Sequence, residues 1–421
     1  MIPSYLQSEF KKIISREYFS EKAHPIRKKA YNDLMKKGLP NKKLEDWRFT
    51  DLSTLNKSNF RISEIQDGTK KNIDITNYGL ESFYTIVIYN GYFQKKLSSI
   101  PQGIKLLSNL DYMENNDRNT TQPEKSSFDL LNTAFMDSGV SLIVKKETNI
   151  EIPLRILFIC SGKEGLMISP RIHIDLEASS SLNLVEQHVG NSDKYLFNGS
   201  FIINIAENAK LDHVRIQNNS QKTINIGNLH IQQKANSNYS FIQFAFGSKL
   251  SRINLYADLI GENANCALNG LNLSNNSQHL DAHIITDHHA PHCTSSQNFK
   301  SILKNKSSGV FNGRSIVQNG AEKTDSSQSN KNILLSKEAT MNSIPQLEIY
   351  TDDVKCSHGS STGALESDAL FYIRSRGIDP ISAISLLVGG FASEIFEKIK
   401  NSDIRKYVTQ YFDRWIKNNS Q

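Results

Sequence analysis

The sequence predicts a mainly β protein: a parallel β-helix core flanked by N-terminal and C-terminal α-helical domains. From about residue 140 to 350 apolar residues alternate with period two, as in Ile172-His173-Ile174-Asp175-Leu176 and Leu182-Asn183-Leu184, in runs broken by Gly, Asn and Ser. Almost no helical period interrupts this stretch, which disfavours alternating β-α-β units and leaves sandwich, barrel and β-helix. Short strands with Asn-rich corners, such as Ser274-Asn275-Asn276-Ser277, favour the β-helix, where each turn stacks on the last. No clean fixed-period repeat stands out.

The elements follow in chain order. Leu6, Phe10, Ile13 and Ile14 recur at helical spacing. A second helix starts near Pro25 and runs to Lys36-Lys37, whose cations suit the carbonyl end of the dipole, before the stop at Gly38 and Pro40. Residues 1–60 are therefore expected as an N-terminal helical domain. Trp47 and Phe49, set between charges, read as an aromatic plug leading into the body. The core is placed at 61–350, with a polar surface insert at 114–127 and a short helix near 127–138, capped by Ser127, with Phe128, Leu131 and Phe135 on one face and Gly139 as its stop.

Residues 351–421 are expected to hold a last strand and a C-terminal helical domain. Asp379 caps, and Pro380 opens, a helix carrying Ile381, Ile384, Val388, Phe391, Ile395 and Ile399 on one stripe. Gly389-Gly390 sits in its middle, each glycine costing about 0.8–1 kcal/mol relative to alanine. Something is thus expected to pass close there, either the protein's own body or a partner helix. A final amphipathic helix from Ser402 shows Ile404, Val408, Phe412 and Trp415 on one side.

Composition narrows the function. The 421 residues carry 49 Lys and Arg against 43 Asp and Glu, a net charge of +6. Thirteen of those bases and seven of the acids lie in residues 1–60, so the remainder is neutral and no nucleic-acid groove along the body is expected. Cys160, Cys266, Cys293 and Cys356 are too scattered for a disulfide framework, which points to a reducing, cytoplasmic compartment. Glu9, Glu17 and Glu21, with no apolar core around them, argue against a secretory signal, and no apolar run approaches the roughly 18 residues of a membrane span.

The P-loop, dinucleotide-binding and Cys-x-x-Cys signatures are all absent. Two clusters remain. Asp281, His283, Asp287, His288, His289, His292 and Cys293 can all bind metal, but their spacing fits no closed zinc site, and polar β-corner residues bonded to backbone are the favoured reading. A rival reading on fold analogy takes Asp281, His283 and Asp287 as the acid and base of a β-helix carbohydrate-active enzyme. The second cluster is Asp352-Asp353-Val354-Lys355-Cys356-Ser357-His358-Gly359. On a strand, Cys356 and His358 share a face with α-carbons about 6.5–7 Å apart. Both are ligands for iron or zinc once deprotonated, yet an iron–sulfur cluster normally takes four such donors, so one chain supplies half a site.

The segment from about 281 to 399 resembles the SufB/SufD family, scaffold subunits of the SufBCD iron–sulfur cluster assembly complex. The resemblance rests on Ser308-Gly309-Val310-Phe311-Asn312-Gly313, Asn332-Ile333-Leu334-Leu335-Ser336, Pro345-Gln346-Leu347-Glu348-Ile349, the Cys356-Ser357-His358-Gly359 segment and Phe371-Tyr372-Ile373-Arg374-Ser375-Arg376-Gly377-Ile378. Pro40 with Glu45-Asp46-Trp47-Arg48-Phe49-Thr50 looks like the family's N-terminal motif. The modest length, and Cys-Ser-His-Gly where SufB proteins usually carry an acidic residue after the histidine, favour the SufD branch over a cluster-holding SufB-type subunit. The resemblance implies a right-handed parallel β-helix that pairs with SufB and a C-terminal domain that binds the ABC-type ATPase SufC, which would account for the missing P-loop. It implies that His358, with Cys356 as companion, meets a SufB cysteine during cluster formation, so that a transient cluster is shared across the interface and none is stably bound here. Phe371, Tyr372, Arg374, Arg376, Gly377, Gly389, Gly390 and Phe391 fall in the segment that includes the SufC-facing surface. Ser360-Ser361-Thr362-Gly363 departs from the more usual Ala-Thr-Val-Gly. A non-catalytic scaffold is the expectation, with a homodimer possible in isolation because a β-helix edge shaped to pair leaves strands uncovered.

Overall fold

The computed structural model describes residues 2–16, 23–64, 67, 73–109, 111–112, 125–136, 138–162, 165–190 and 194–419. Strands alternate between two sheets, and each pairs in parallel with the strand two further along the chain. One sheet runs from Thr340–Ile349 through Ser308–Val317, His279–His288, Leu250–Leu259, Ile224–Gln233, Tyr195–Ile205 and Pro170–Leu176 to Ser138–Val144. The other runs from Lys355–Gly363 through Asp325–Leu334, Thr294–Leu303, Asn265–Ser274, Asn238–Ala245, Lys210–Asn218, Ser181–Gly190 and Asn149–Cys160 to Tyr84–Tyr89. The result is a β-solenoid of about eight turns with helices at both termini. Its β region is longer than the alternation indicated, beginning before residue 140 and ending after 350.

The step between register partners drifts from 26 residues at Ile224↔Leu250 to 29 at His279↔Ser308 and 32 at Ser308↔Thr340. That drift, taken up in the turns, hides the repeat from a fixed-period search. What does repeat is the corner. Glu147, Ser179, Asn208, Asn236, Asn263, His292, Lys323 and Asp353 all adopt φ between 56° and 59°, a left-handed conformation that Asn tolerates better than most residues. The first seven of these corner amides bond to the next turn, as Asn208 N to Ala235 O at 3.0 Å and Asn236 N to Glu262 O at 2.8 Å.

Inward-facing residues such as Ile174, Phe201, Ile203, Leu229, Phe241, Leu255, Ile284 and Phe311 fill the lumen. The outer face of the first sheet is covered by the helices Tyr5–Ile14 and Ser127–Phe135, whose Leu6, Phe10, Phe128 and Phe135 pack with Leu196, Ile224, Ile226 and Leu250. The outer face of the second sheet is covered by Pro380–Glu397 and Ser402–Asn419 through Val388, Ala392, Ile395, Phe396, Val408 and Phe412.

Most helix signals hold in detail. Ala23–Lys37 ends at Gly38, whose φ is +76° and whose N–H reaches Leu34 O at 2.8 Å. Asp379 accepts from Ile381 N and Ser382 N at 3.0 Å each. Two readings change, and one lies outside the described residues. The internal helix is capped by Ser126 in a capping box with Asp129, and Gly139 lies in the following strand, where a Cβ would run into the Arg171 carbonyl. The polar insert falls outside the described residues over 114–124. The helix Pro380–Glu397 is, by length and composition, apolar enough to cross a membrane, with mean hydropathy 1.3 over 18 residues. Its serines keep any continuous apolar run short, and its Val388 and Ile395 pack on the solenoid.

Candidate functional site

Thr340–Ile349 and Lys355–Gly363 are the last strands of their sheets, and among the described residues nothing pairs with their outer edges. In register, Cys356 lies opposite Ser326 and His358 opposite Gln328. Ser326, Gln328, Asn330 and Asn332 are all buried on the lumen side, so Cys356 and His358 extend inward-facing columns past the last covered turn. They stand at the mouth of the solenoid, Cys356 half-buried and His358 exposed. The floor beneath them is polar: Ser326 Oγ donates to Ser315 Oγ at 3.0 Å, and Gln328 Nε2 donates to Ser315 Oγ at 2.9 Å and to Gln346 O at 3.2 Å. Burial pushes the Cys356 thiol up, partly offset by the Ser326 backbone N–H, so the sulfur is protonated near neutral pH and a metal ion must displace that proton to bind.

The residues of the C-terminal segment do not converge on this mouth. Phe371 and Tyr372 project from the helix Ser367–Ser375, 74% and 58% exposed, with the Arg376 guanidinium 4.6 Å from the Tyr372 ring. Arg374 is exposed on the same helix, and Gly377, at φ +86°, lies just past its end. A Cβ at Gly389 or Gly390 would meet no atom within 4 Å, so the protein's own described body does not explain the pair. Phe391 is half-buried, its ring 4.7 Å from the Lys300 ammonium, which also donates to its carbonyl at 2.9 Å.

The histidine-rich cluster is dispersed, because strand alternation sends neighbours to opposite faces. Asp281 and His283 face outward and are buried under the N-terminal motif. Arg252 Nη1 reaches Asp281 Oδ2 at 2.6 Å and Asp46 O at 2.7 Å, and Thr50 Oγ1 donates to Asp281 Oδ2 at 2.6 Å. The Arg252 guanidinium lies 3.8 Å from the Trp47 ring. His283 Nδ1 is 3.0 Å from the same guanidinium, and burial with that cation keeps it neutral. Asp281 and His283 thus meet a salt bridge rather than a substrate groove. His288 points inward to Ser295 Oγ at 2.9 Å, His292 is a corner residue, and Cys293 is buried. Trp47 is the expected plug, stacked on Phe128 at 5.3 Å, but Phe49 is exposed.

Two groups escaped the sequence reading. Arg252 is one. The other is a lumen network in which Glu186 is bracketed by His188, by His213 Nε2 at 3.2 Å and by Arg215 Nε at 2.9 Å. Burial alone would raise the Glu186 carboxyl, but Arg215 and His188 hold it well below the usual range. The signal was present as Glu186-x-His188 and His213-x-Arg215, visible only once the two strands are laid side by side.

Fold and site together define a helix-flanked β-solenoid with a thiol and an imidazole at an open end. Residues 158–391 match the family model for the SufBD core domain of SUF-system FeS cluster assembly, and residues 5–156 match the SufBD N-terminal region. The chain belongs to the SufBD family. It is 29% identical over 393 residues to the iron–sulfur cluster assembly protein SufD of Escherichia coli, covering 92% of each chain. It is 30% identical to a SufBD family protein of Synechocystis over 88% of this chain and 86% of that one, and 30% identical to a chloroplastic protein of Arabidopsis thaliana over 90% and 83%.

Proposed function

We propose that this chain is a SufD-type scaffold that contributes half of a site for building iron–sulfur clusters. Its uncovered last turn pairs with a SufB-type homologue, and its C-terminal helices bind the ATPase SufC. The observation that carries this reading is the Cys356–His358 pair on an unpaired terminal strand. One thiol and one imidazole are two of the four donors a cluster takes, and they sit where a second solenoid would supply the rest. The cluster is cargo, and His358 and Cys356 act as transient ligands. Four free thiols fit a reducing, cytoplasmic setting. Exposed Phe371, Tyr372, Arg374 and Arg376, with Gly377 and the unencumbered Gly389 and Gly390, make the C-terminal segment the candidate SufC-facing surface, with Phe391 holding it to the solenoid.

The test is co-expression with SufB and SufC partners, wild type against His358→Ala, recording complex mass and cluster absorbance after anaerobic purification. Assembly of both complexes with cluster missing from the variant is the expected result. Equal cluster in both makes His358 structural, and failure of any complex to form removes the scaffold reading.

A further inference from the structure

Asp258 and Asp287 occupy adjacent strands, Leu250–Leu259 and His279–His288, and are register partners. Register partners point to one face about 4.8 Å apart, so two carboxylates stand side by side on the outside of the solenoid, an arrangement that costs stability unless a cation attends it. Just past the strand end, His289 brings Nε2 to 3.4 Å from Asp287 Oδ2. One oxygen of each carboxylate and one imidazole nitrogen all lie within 4.8 Å of one another.

The His289–Asp287 spacing suits an ion better than a hydrogen bond. At 3.4 Å the His289–Asp287 pair lies beyond the usual range for a direct N–H···O contact. A tetrahedral ion bound at about 2.0–2.1 Å holds its nitrogen and oxygen donors roughly 3.3–3.4 Å apart. The carboxylate is also oriented from behind: Gln318 Nε2 donates to Asp287 Oδ1 at 2.9 Å, fixing the group so that Oδ2 is the oxygen turned to His289. Such outer hydrogen bonds aim metal-binding carboxylates. A cation already attends the other acid, since Lys125 Nζ lies 3.2 and 3.3 Å from the two oxygens of Asp258. That ammonium offsets one of the two negative charges. A divalent ion bridging both acids would offset the pair and release the lysine.

We propose that Asp258, Asp287 and His289 bind a divalent first-row transition-metal ion of the Zn2+, Co2+ and Fe2+ class, with Lys125 as the competing cation. Two carboxylates and one imidazole suit such ions, and three protein donors leave a position for water, as in an exchangeable site. The donors belong to turns before the mouth and to the outer face, so the proposal does not rest on the role assigned to Cys356 and His358.

The test is titration of the full chain with Co2+, followed by calorimetry and by visible d–d absorption, in a Cys356→Ser, His358→Ala background that removes the donors at the mouth. One Co2+ per chain is expected. Asp287→Asn and His289→Ala should each weaken binding by about tenfold or more, and Lys125→Ala should tighten it several-fold, with thermal melts showing each variant folded. Binding unchanged in both Asp287→Asn and His289→Ala, or no saturable binding up to millimolar Co2+, overturns the proposal.

Discussion

The two ends of the solenoid are finished differently. At the first turn, the edge strand Tyr84–Tyr89 is covered by the antiparallel Tyr92–Phe93, and Ser138–Val144 by the antiparallel Ile104–Ser108. At the last turn, Thr340–Ile349 and Lys355–Gly363 keep their outer N–H and C=O groups unpaired among the described residues, and Ile349 and Tyr350 are exposed beside them. An uncovered parallel edge is a template for another strand, and proteins that do not use such an edge blunt it. Here one end is blunted and the other is not, and the end left open carries the half-buried Cys356 beside the exposed His358. This asymmetry is what the proposed pairing with a SufB-type partner requires.

The sharpest way to break that comparison is to weigh the interior against the mouth. Phe241 is fully buried in the lumen, its ring 5.1 Å from that of His213. Phe241→Ala should cost about 3–5 kcal/mol in urea unfolding of the isolated chain. His358→Ala should change stability by no more than about 0.5 kcal/mol, as expected for an exposed side chain. A comparable loss in both variants would mean the mouth is packed like the core.

The interior should also respond to acid. Burial lowers His173 to about 3 and His288 to about 4, and lowers His283 as well. In the unfolded chain these groups titrate near 6.5, so below that pH the unfolded state binds more protons and stability falls. The loss begins as pH drops through about 6.5 and continues down to the folded values, with up to about 1.4 kcal/mol per unit from each histidine. Melting temperatures measured from pH 7.5 to 4.5 should hold above about pH 6.5 and decline below it, and a flat profile would show that these imidazoles accept protons without unfolding.

The edge itself can be blocked without disturbing what lies beneath. Residues of a parallel strand bond alternately to one neighbour and the other. Lys355 N bonds inward to Thr324 O, so the N–H of Ser360 points outward. Ser360→Pro should leave the chain folded, with a stability change within about 1 kcal/mol, while abolishing association with a SufB-type partner and any self-association, read by light scattering. Intact pairing in a folded variant would place the interface elsewhere.

How much of this was legible depended on the range of the interaction. The strand alternation, the Asp379-Pro380 helix start and the Asn-rich corners are local, so sequence alone indicated a β-helix between helices. The Cys356–His358 neighbourhood was legible for the same reason, since a two-residue spacing on a strand fixes a shared face. The register between turns was not, because loops of unequal length move the repeat between 26 and 32 residues. Everything built across turns was hidden with it: Arg252 beneath Trp47, Glu186 between two histidines, and Asp258 beside Asp287. The dense histidine cluster is split for the complementary reason, as closeness in sequence on a strand sends His283 and His288 to opposite faces.

The smallest expected effect concerns the helix Pro380–Glu397. A Cβ at Gly389 meets nothing within 4 Å, so Gly389→Ala removes a helix-interior glycine without a clash. The isolated chain should gain about 0.8–1 kcal/mol, seen as a small rise in melting temperature. A glycine kept against that gain needs a reason outside the chain, and a partner backbone passing close would supply one. If the variant is more stable yet loses SufC in a pull-down, the pair serves that approach. If it keeps SufC, the glycines answer to neither partner nor body, and the resemblance between this helix and the open mouth, as two surfaces left for others, fails on the helix side.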